Sequence, residues 1–473
     1  MTSPSPFSRL ALLVACILIG ASLGAAAASP AEAITTAAFS RPLVISKVLT
    51  GSNITLTAAA TDVQVLPGAK TRMWTYNGTF PGPTIRRPAG QTTTVTLVNK
   101  LPAAAGELTL HNHGNHSTSD NDGQPDEFLA APGGGSVTYT YTGTEAGGNE
   151  RGALQWYHDH RMDVTGRNNW MGLAGMYIID DPADPKTLPK GEFDVPLLIA
   201  DRSFTSTNQL AYRFNAAGTT GNRILVNGVP QPYFKVGDRK YRLRILNASN
   251  SRSYDLALSN GQAFIQIGTD SGLLPAPVKR TRILIAPAER VDVVIDFARR
   301  LNQNIVLQNK AASGSLSQLM QFRVTRDLTD NSSVPTKLRP LPPLDATSTA
   351  TRTFEFGRER FGGRWTINGQ VFDPERIDAQ PTLGATETWI LKNKSGATHV
   401  IHIHDVDQQL VSRNGVAPAR YELMKESWQL GIGETVVVKL KFTDNLGKFV
   451  FHCHILEHED SAMMAQLEVV PGQ

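Results

Sequence analysis

The chain has 473 residues, 41% hydrophobic and 19% charged, with 46 basic against 42 acidic side chains for a net charge of +4. This ordinary globular composition excludes wholesale disorder and a nucleic-acid-binding arm, and 40 Gly with 28 Pro fall short of a low-complexity chain. Two cysteines cannot build a disulfide framework, and the length suits about three domains.

The first element reads as a targeting segment. Arg9 precedes the apolar run 10–20, followed by small residues and Ala31-Glu32-Ala33, the order of a secretory signal peptide over residues 1–33. No later stretch reaches the ~18 apolar residues of a transmembrane helix, so no stable membrane span is expected. Without a twin Arg, general secretion to the periplasm, cell envelope or exterior is expected rather than folded export. Leu13-Val14-Ala15-Cys16 resembles a lipoprotein box. The apolar run continues past Cys16, however, which disfavours lipidation. Cleavage would leave Cys453 as the single cysteine.

Next comes a weak internal repeat. Stretches opening near Met73, Arg223 and Arg364 each carry an Asn-Gly pair (at 77, 227 and 368), a proline-containing segment and a β-rich run ending in Asn. Turn signals between β-branched segments, recurring at this long period, predict an all-β chain of repeated β-sandwich domains. The Pro-rich, polar segment 328–346 reads as a linker. Domains are placed at 40–185, 190–335 and 350–473.

The eleven histidines are not scattered. Five lie between 111 and 160, six between 399 and 458, and none between 161 and 398. Eight form H-x-H pairs: His111/His113, His158/His160, His402/His404 and His452/His454. On a strand, residues i and i+2 share a face, so each pair offers two imidazoles to one side. One such pair is usually a surface strand. Four pairs, at the two ends of a chain, read as ligands for more than one metal.

Residues 451–464 add a second site. Alternation sends His452 and His454 one way and Cys453 the other, and His399, three before His402, opposes its neighbours too. Cys453, His399 and His458 can then meet back-to-back with the imidazole cluster, with Met463 or Met464 as a thioether. One Cys, two His and a weak axial Met is the blue-copper donor set.

The runs LHNHG (110–114), WYHDH (156–160), THVIHIH (398–404) and FHCHILEHEDSAMM (451–464) resemble the four copper-binding motifs of multicopper oxidases. The runs 113–125 and 151–182 are most similar to the bacterial laccases of the spore-coat type, and the likeness covers nearly the whole chain after the signal. It implies three cupredoxin-like Greek-key domains, with a trinuclear copper cluster between the first and third. It implies four coppers: type 1 on His399, Cys453, His458 and Met463; type 2 on His111 and His402; one type 3 on His113, His158 and His454; the other on His160, His404 and His452. His116 is left over as a polar loop residue. Asn112 stands where many relatives have Trp, but its side chain points away from its paired neighbours.

Two carboxylates complete the implied site. Asp122 and Glu459 are expected to supply protons for reducing dioxygen to water, or else to orient the ligating rings by hydrogen bonds. Asp120, Asp126 and Glu127 read as solvated loop charges. The implied activity is one-electron oxidation of phenols or aromatic amines by dioxygen, the electron entering through the edge of His399. The alternatives are a metallo-oxidase acting on Cu(I) or Mn(II), and a cupredoxin scaffold without catalysis. Nine Met with no Met-rich segment count against the first, and the complete ligand set against the second.

Overall fold

Alternating burial explains most strands. TTVTLVN at Thr93–Asn99 and TVVVKLK at Thr435–Lys441 bury every second side chain, as strands covered on one face do. DVPLLIADR at Asp194–Arg202 is buried throughout. It lies mid-sheet, its Val195, Leu197 and Ile199 facing one core and Leu198 and Ala200 another. The computed structural model describes residues 38–361 and 363–472. The expected signal peptide, with Cys16 and Ala33, lies outside them.

Apart from a two-stranded ribbon of Thr144–Glu145 and Gly148–Asn149, the strands among the described residues form three pairs of sheets: four strands with five, seven with five, and six with four. Each pair encloses its own apolar cluster, centred on residues such as Leu56, Val95 and Tyr139, then Leu243, Val293 and Phe322, then Trp389, Val438 and Phe451. A fourth cluster, including Trp156, Met176, Leu198 and Leu246, joins the first pair to the second. The fold is therefore all-β. Helices among the described residues are short, at Thr165–Met171 and Leu456–Glu459, and none is long and apolar enough to cross a membrane.

The internal repeat has a common geometry. In each copy a long strand pairs antiparallel with the strand before the Asn-Gly, at Ala58↔Tyr76, Ile199↔Val226 and Phe356↔Ile367. The same strand pairs parallel with the run that ends at Asn99, Asn247 or Asn393. The turns are superimposable in backbone: Asn77, Asn227 and Asn368 have φ of 53°, 48° and 53°, and the following glycines 80°, 77° and 76°. Two successive positive φ values make the tight hairpin turn that Asn-Gly favours. Each Asn Oδ1 also accepts a backbone N–H from the long strand, of Thr57, Leu198 or Glu355, at 2.7–2.8 Å.

Residues 327–349 contain no regular element. They are nonetheless fastened along the body. Ser333 N–H donates to Thr187 O (2.8 Å), Arg151 Nη1 to Pro340 O (2.9 Å) and Gln409 Nε2 to Pro342 O (2.6 Å).

Candidate metal centres

Two strand pairs bring the histidines together. His111–His113 pairs antiparallel with Leu154–His158, setting His111 opposite His158. His399–Ile403 pairs with Gly447–Cys453, setting His402 opposite His452 and Ile401 opposite Cys453. The two pairs face each other: the His113 ring stacks on His402 at 3.7 Å and His111 on His404 at 4.0 Å. One point differs from simple strand alternation. Of the four pairs, just His111/His113 lies wholly within a strand; His160, His404 and His454 fall just past a strand end. The turn there still directs the second ring beside the first, with centroids 4.6–5.6 Å apart in all four pairs.

The donor atoms of the cluster converge in groups of three. His113, His158 and His454 converge, as do His160, His404 and His452, and His111, His113 and His402, each set with donors within 4.8 Å of one another. In the second set, His160 Nε2 and His404 Nε2 both lie 3.2 Å from His452 Nε2. The opposite nitrogens are held from behind. His404 Nδ1 is 2.7 Å from Asp122 Oδ2, and His160 and His452 Nδ1 lie 3.2 and 3.0 Å from the two oxygens of Glu459. With Nδ1–H directed at these oxygens, three lone pairs converge on one dry point, which is unfavourable unless a cation accepts them.

Three of the five remaining rings repeat the pattern, while both nitrogens of His454 are without a hydrogen-bond partner among the described residues. His111 Nδ1 bonds Asp122 O (2.6 Å), His158 Nδ1 bonds Asp159 O (3.0 Å) and His402 Nδ1 bonds Glu426 O (3.1 Å). Their Nε2 atoms have no hydrogen-bond partner among the described residues. His113 is reversed: its Nε2 meets Ser427 Oγ and Glu426 Oε1, and Nδ1 is the unpartnered atom. Burial and the neighbouring rings hold His113, His158, His402, His404 and His454 well below the usual imidazole range. These five rings are thus neutral donors, the form that ligates metal.

On the opposite face, Cys453 Sγ lies 3.5 Å from His399 Nδ1 and 3.6 Å from His458 Nδ1, and the two Nδ1 atoms are 3.0 Å apart. Burial pushes the thiol up to about 12 and pulls His399 down to about 4 and His458 to about 3. A cation here would take the thiol's proton off and stabilise the thiolate. Register separates the two methionines. Met464 is opposite His452, so Met463 shares the face of Cys453, and both belong to the same buried cluster.

Like His458, His399, whose edge is expected to be the electron entrance, is enclosed by protein. Its Nε2 bonds Ser395 Oγ at 2.7 Å, and the ring is fully buried. Trp365 packs on the His458 ring at 4.3 Å, and the residues that follow His458, 459–462, line a cavity. Of the leftover residues, His116 is engaged by Asp444 at 2.8 Å. Asn112 points to Gln155 (3.1 Å) and away from the rings. Asp120 and Glu127 are exposed and Asp126 half-buried.

Sequence reasoning missed two residues of this centre. Glu426 holds His113 through its carboxylate and His402 through its carbonyl. Arg290 pairs with that carboxylate and donates to Leu154 O at 2.8 Å. Both are buried under Gly114, whose φ of +89° suits glycine and where a Cβ would come within 2.5 Å of Arg290 Nη2. Neither residue belongs to a spaced motif; the pairing spans 136 positions of sequence.

Residues 57–184 and 337–473 each match a family model described as multicopper oxidase. A laccase of Bacillus stratosphericus is 34% identical over 85% of this chain and 91% of its own length. The chain belongs to the multicopper oxidase family. This multicopper oxidase is also 37% identical to a bilirubin oxidase of Albifimbria verrucaria, over 82% of the chain and 71% of the relative. The crystal structure of a multi-copper oxidase from Pediococcus acidilactici aligns with a TM-score of 0.83 at 34% identity, covering 92% of each chain. The protein is accordingly an oxidoreductase of cupredoxin-like fold, and copper is the metal its family implies. The unpartnered ring nitrogens and the Cys–His–His set fit that metal.

Proposed function

We propose that this multicopper oxidase is laccase-like. Four phenols or aromatic amines each give up one electron and one proton, and one dioxygen takes up the four electrons and four protons to become two waters. Back-to-back placement of the Cys453 site and the eight-histidine cluster carries this reading, because Cys453 is covalently joined to His452 and His454 of the cluster. Type 1 copper would be held by His399, Cys453, His458 and Met463, type 2 by His111 and His402, and the type 3 pair by His113, His158, His454 and by His160, His404, His452. Bound there, copper would supply single-electron transfer at the first site and four-electron delivery to dioxygen at the second.

The protein's own groups do the rest. Cys453 and its neighbours provide a covalent route between the sites. Asp122 and Glu459 each bridge two rings, fixing their tautomers. They are also acids in contact with the cluster, placed to pass protons to the reduced oxygen. Burial alone would raise the Glu459 carboxyl, but His160 and His452 outweigh it and hold it below the usual range. The laccase and bilirubin oxidase names of its relatives favour aromatic reductants over Cu(I) or Mn(II). The domain limits given above and secretion through residues 1–33 belong to the same proposal.

Oxygen uptake by the copper-loaded protein tests it. A phenol and an aromatic amine should each drive uptake, with one dioxygen consumed per four reductants and no peroxide released. Uptake with Cu(I) or Mn(II) alone would replace this reading by the metallo-oxidase one, and none with any reductant would restore the scaffold.

Asp122→Asn and Glu459→Gln should keep copper while turnover falls at least about 100-fold, increasingly as pH rises and solution protons become scarce. Stopped-flow reoxidation by dioxygen should carry the loss. Copper loss with unchanged turnover per copper would make the residue a pure orienter of rings.

A further inference from the structure

A cavity of about 620 Å³, within the size range of small-molecule sites, is bordered by Phe214, Phe372 and the segment just after His458. Phe214, Ala216, Phe372, Pro374 and Met464 give it an apolar wall, and Arg358 stands at its edge. Residues 459–462, directly after His458, close another side. Trp365 joins cavity to metal site. Its ring packs 4.3 Å from His458 and 5.1 Å from His399, and its Nε1–H donates to Ala216 O at 2.6 Å. The Arg358 guanidinium lies over the same indole, 4.8 Å from its centroid.

Charge in this cavity is unevenly committed. Glu459 is turned inward to His160 and His452, and Asp460 accepts the backbone N–H groups of Thr165 and Gly166 at 2.9 Å each. Arg364 is held by both oxygens of Glu359. Asp163 is exposed at the edge. Arg358, by contrast, donates Nε–H to Gly363 O (2.7 Å) and forms no ion pair among the described residues. Its terminal nitrogens are a fork suited to a planar carboxylate, stacked on an indole and bordered by apolar surface suited to a ring.

We propose that Arg358 on Trp365 is the carboxylate-binding group of the reductant pocket, so that the preferred reductants are aromatic rings carrying a carboxylate. The position of the pocket as the electron entrance rests on the laccase-like reading above; the recognition itself does not. A ring against Phe214 and Phe372 would have its carboxylate on Arg358, which lies over the indole that packs on His458.

The test pairs an acid with its neutral ester. Calorimetric titration of copper-loaded protein with 3,4-dimethoxycinnamate, which has no oxidisable O–H, should show binding about three- to tenfold tighter than with its methyl ester, the range of a partly screened ion pair. Arg358→Gln should erase that preference and leave the ester's affinity unchanged, and raised salt should weaken the acid alone. Equal binding of acid and ester, a preference surviving in Arg358→Gln, or loss of both ligands would overturn the proposal. Steady-state oxidation of 4-hydroxy-3-methoxycinnamate and its methyl ester separates it from the underlying reading. A calorimetric preference without oxidation of either would sink the laccase-like reading and keep the pocket. Oxidation of both with no preference for the acid would do the reverse.

Discussion

Cys453→Ser should abolish oxidation of every organic reductant while the eight-histidine cluster stays loaded. Cys453 sits between His399 and His458 on one face, and the cluster lies on the other. Serine fits the same strand without enlarging the side chain, so the rings opposite keep their places. The soft thiolate that gives a blue copper site its colour and affinity is lost. Copper content should fall from about four to about three per chain, the blue absorption should vanish, and turnover should drop by at least about 1000-fold. A variant that stayed blue, or oxidised phenols at the wild-type rate, would remove Cys453 from its assigned role.

Arg290→Met should give the largest loss of stability among single changes near the centre, about 3–5 kcal/mol. The side chain is buried, pairs with buried Glu426, and also donates to Leu154 O and Ala288 O. Methionine preserves much of the volume but leaves the Glu426 carboxylate as an uncompensated charge beside His113. Because Arg290 comes from the middle pair of sheets, Leu154 from the first and Glu426 from the last, the same change should loosen the cluster and lower its copper occupancy. Urea unfolding of wild type and variant reads the stability term. The double variant Arg290→Met/Glu426→Met should recover part of the loss, since no charge is then stranded. A shift below about 1 kcal/mol in the single variant would show that the pair is not what holds the three strands together.

The contrast between Cys453 and Arg290 shows what the sequence could and could not disclose. The H-x-H pairs and the opposite facing of Cys453 were legible because they rest on local spacing, whereas the grouping of rings into donor sets, which joins residues as distant as His113 and His454, came from the family resemblance. The Asn-Gly repeats were legible for a similar reason. Two positive φ values in succession are a local demand, and Asn-Gly meets it at 77, 227 and 368. Arg290 and Glu426 depend on strands meeting across 136 residues, with no periodicity to announce them. Trp365 and Arg358 were hidden in the same way, since their relation to His458 arises from two separated segments packing together. Spacing also says which face the His399 ring is on, but not what covers its edge. Ser395, four residues before His399, closes that edge with a single hydrogen bond.

Anomalous diffraction at the copper edge from crystals of the copper-loaded protein should locate four ions. One peak is expected among His399, Cys453 and His458, and three inside the eight-histidine cluster. These three should lie between His111 and His402, among His113, His158 and His454, and among His160, His404 and His452. A missing peak at Cys453, or a single peak within the cluster, would contradict this assignment.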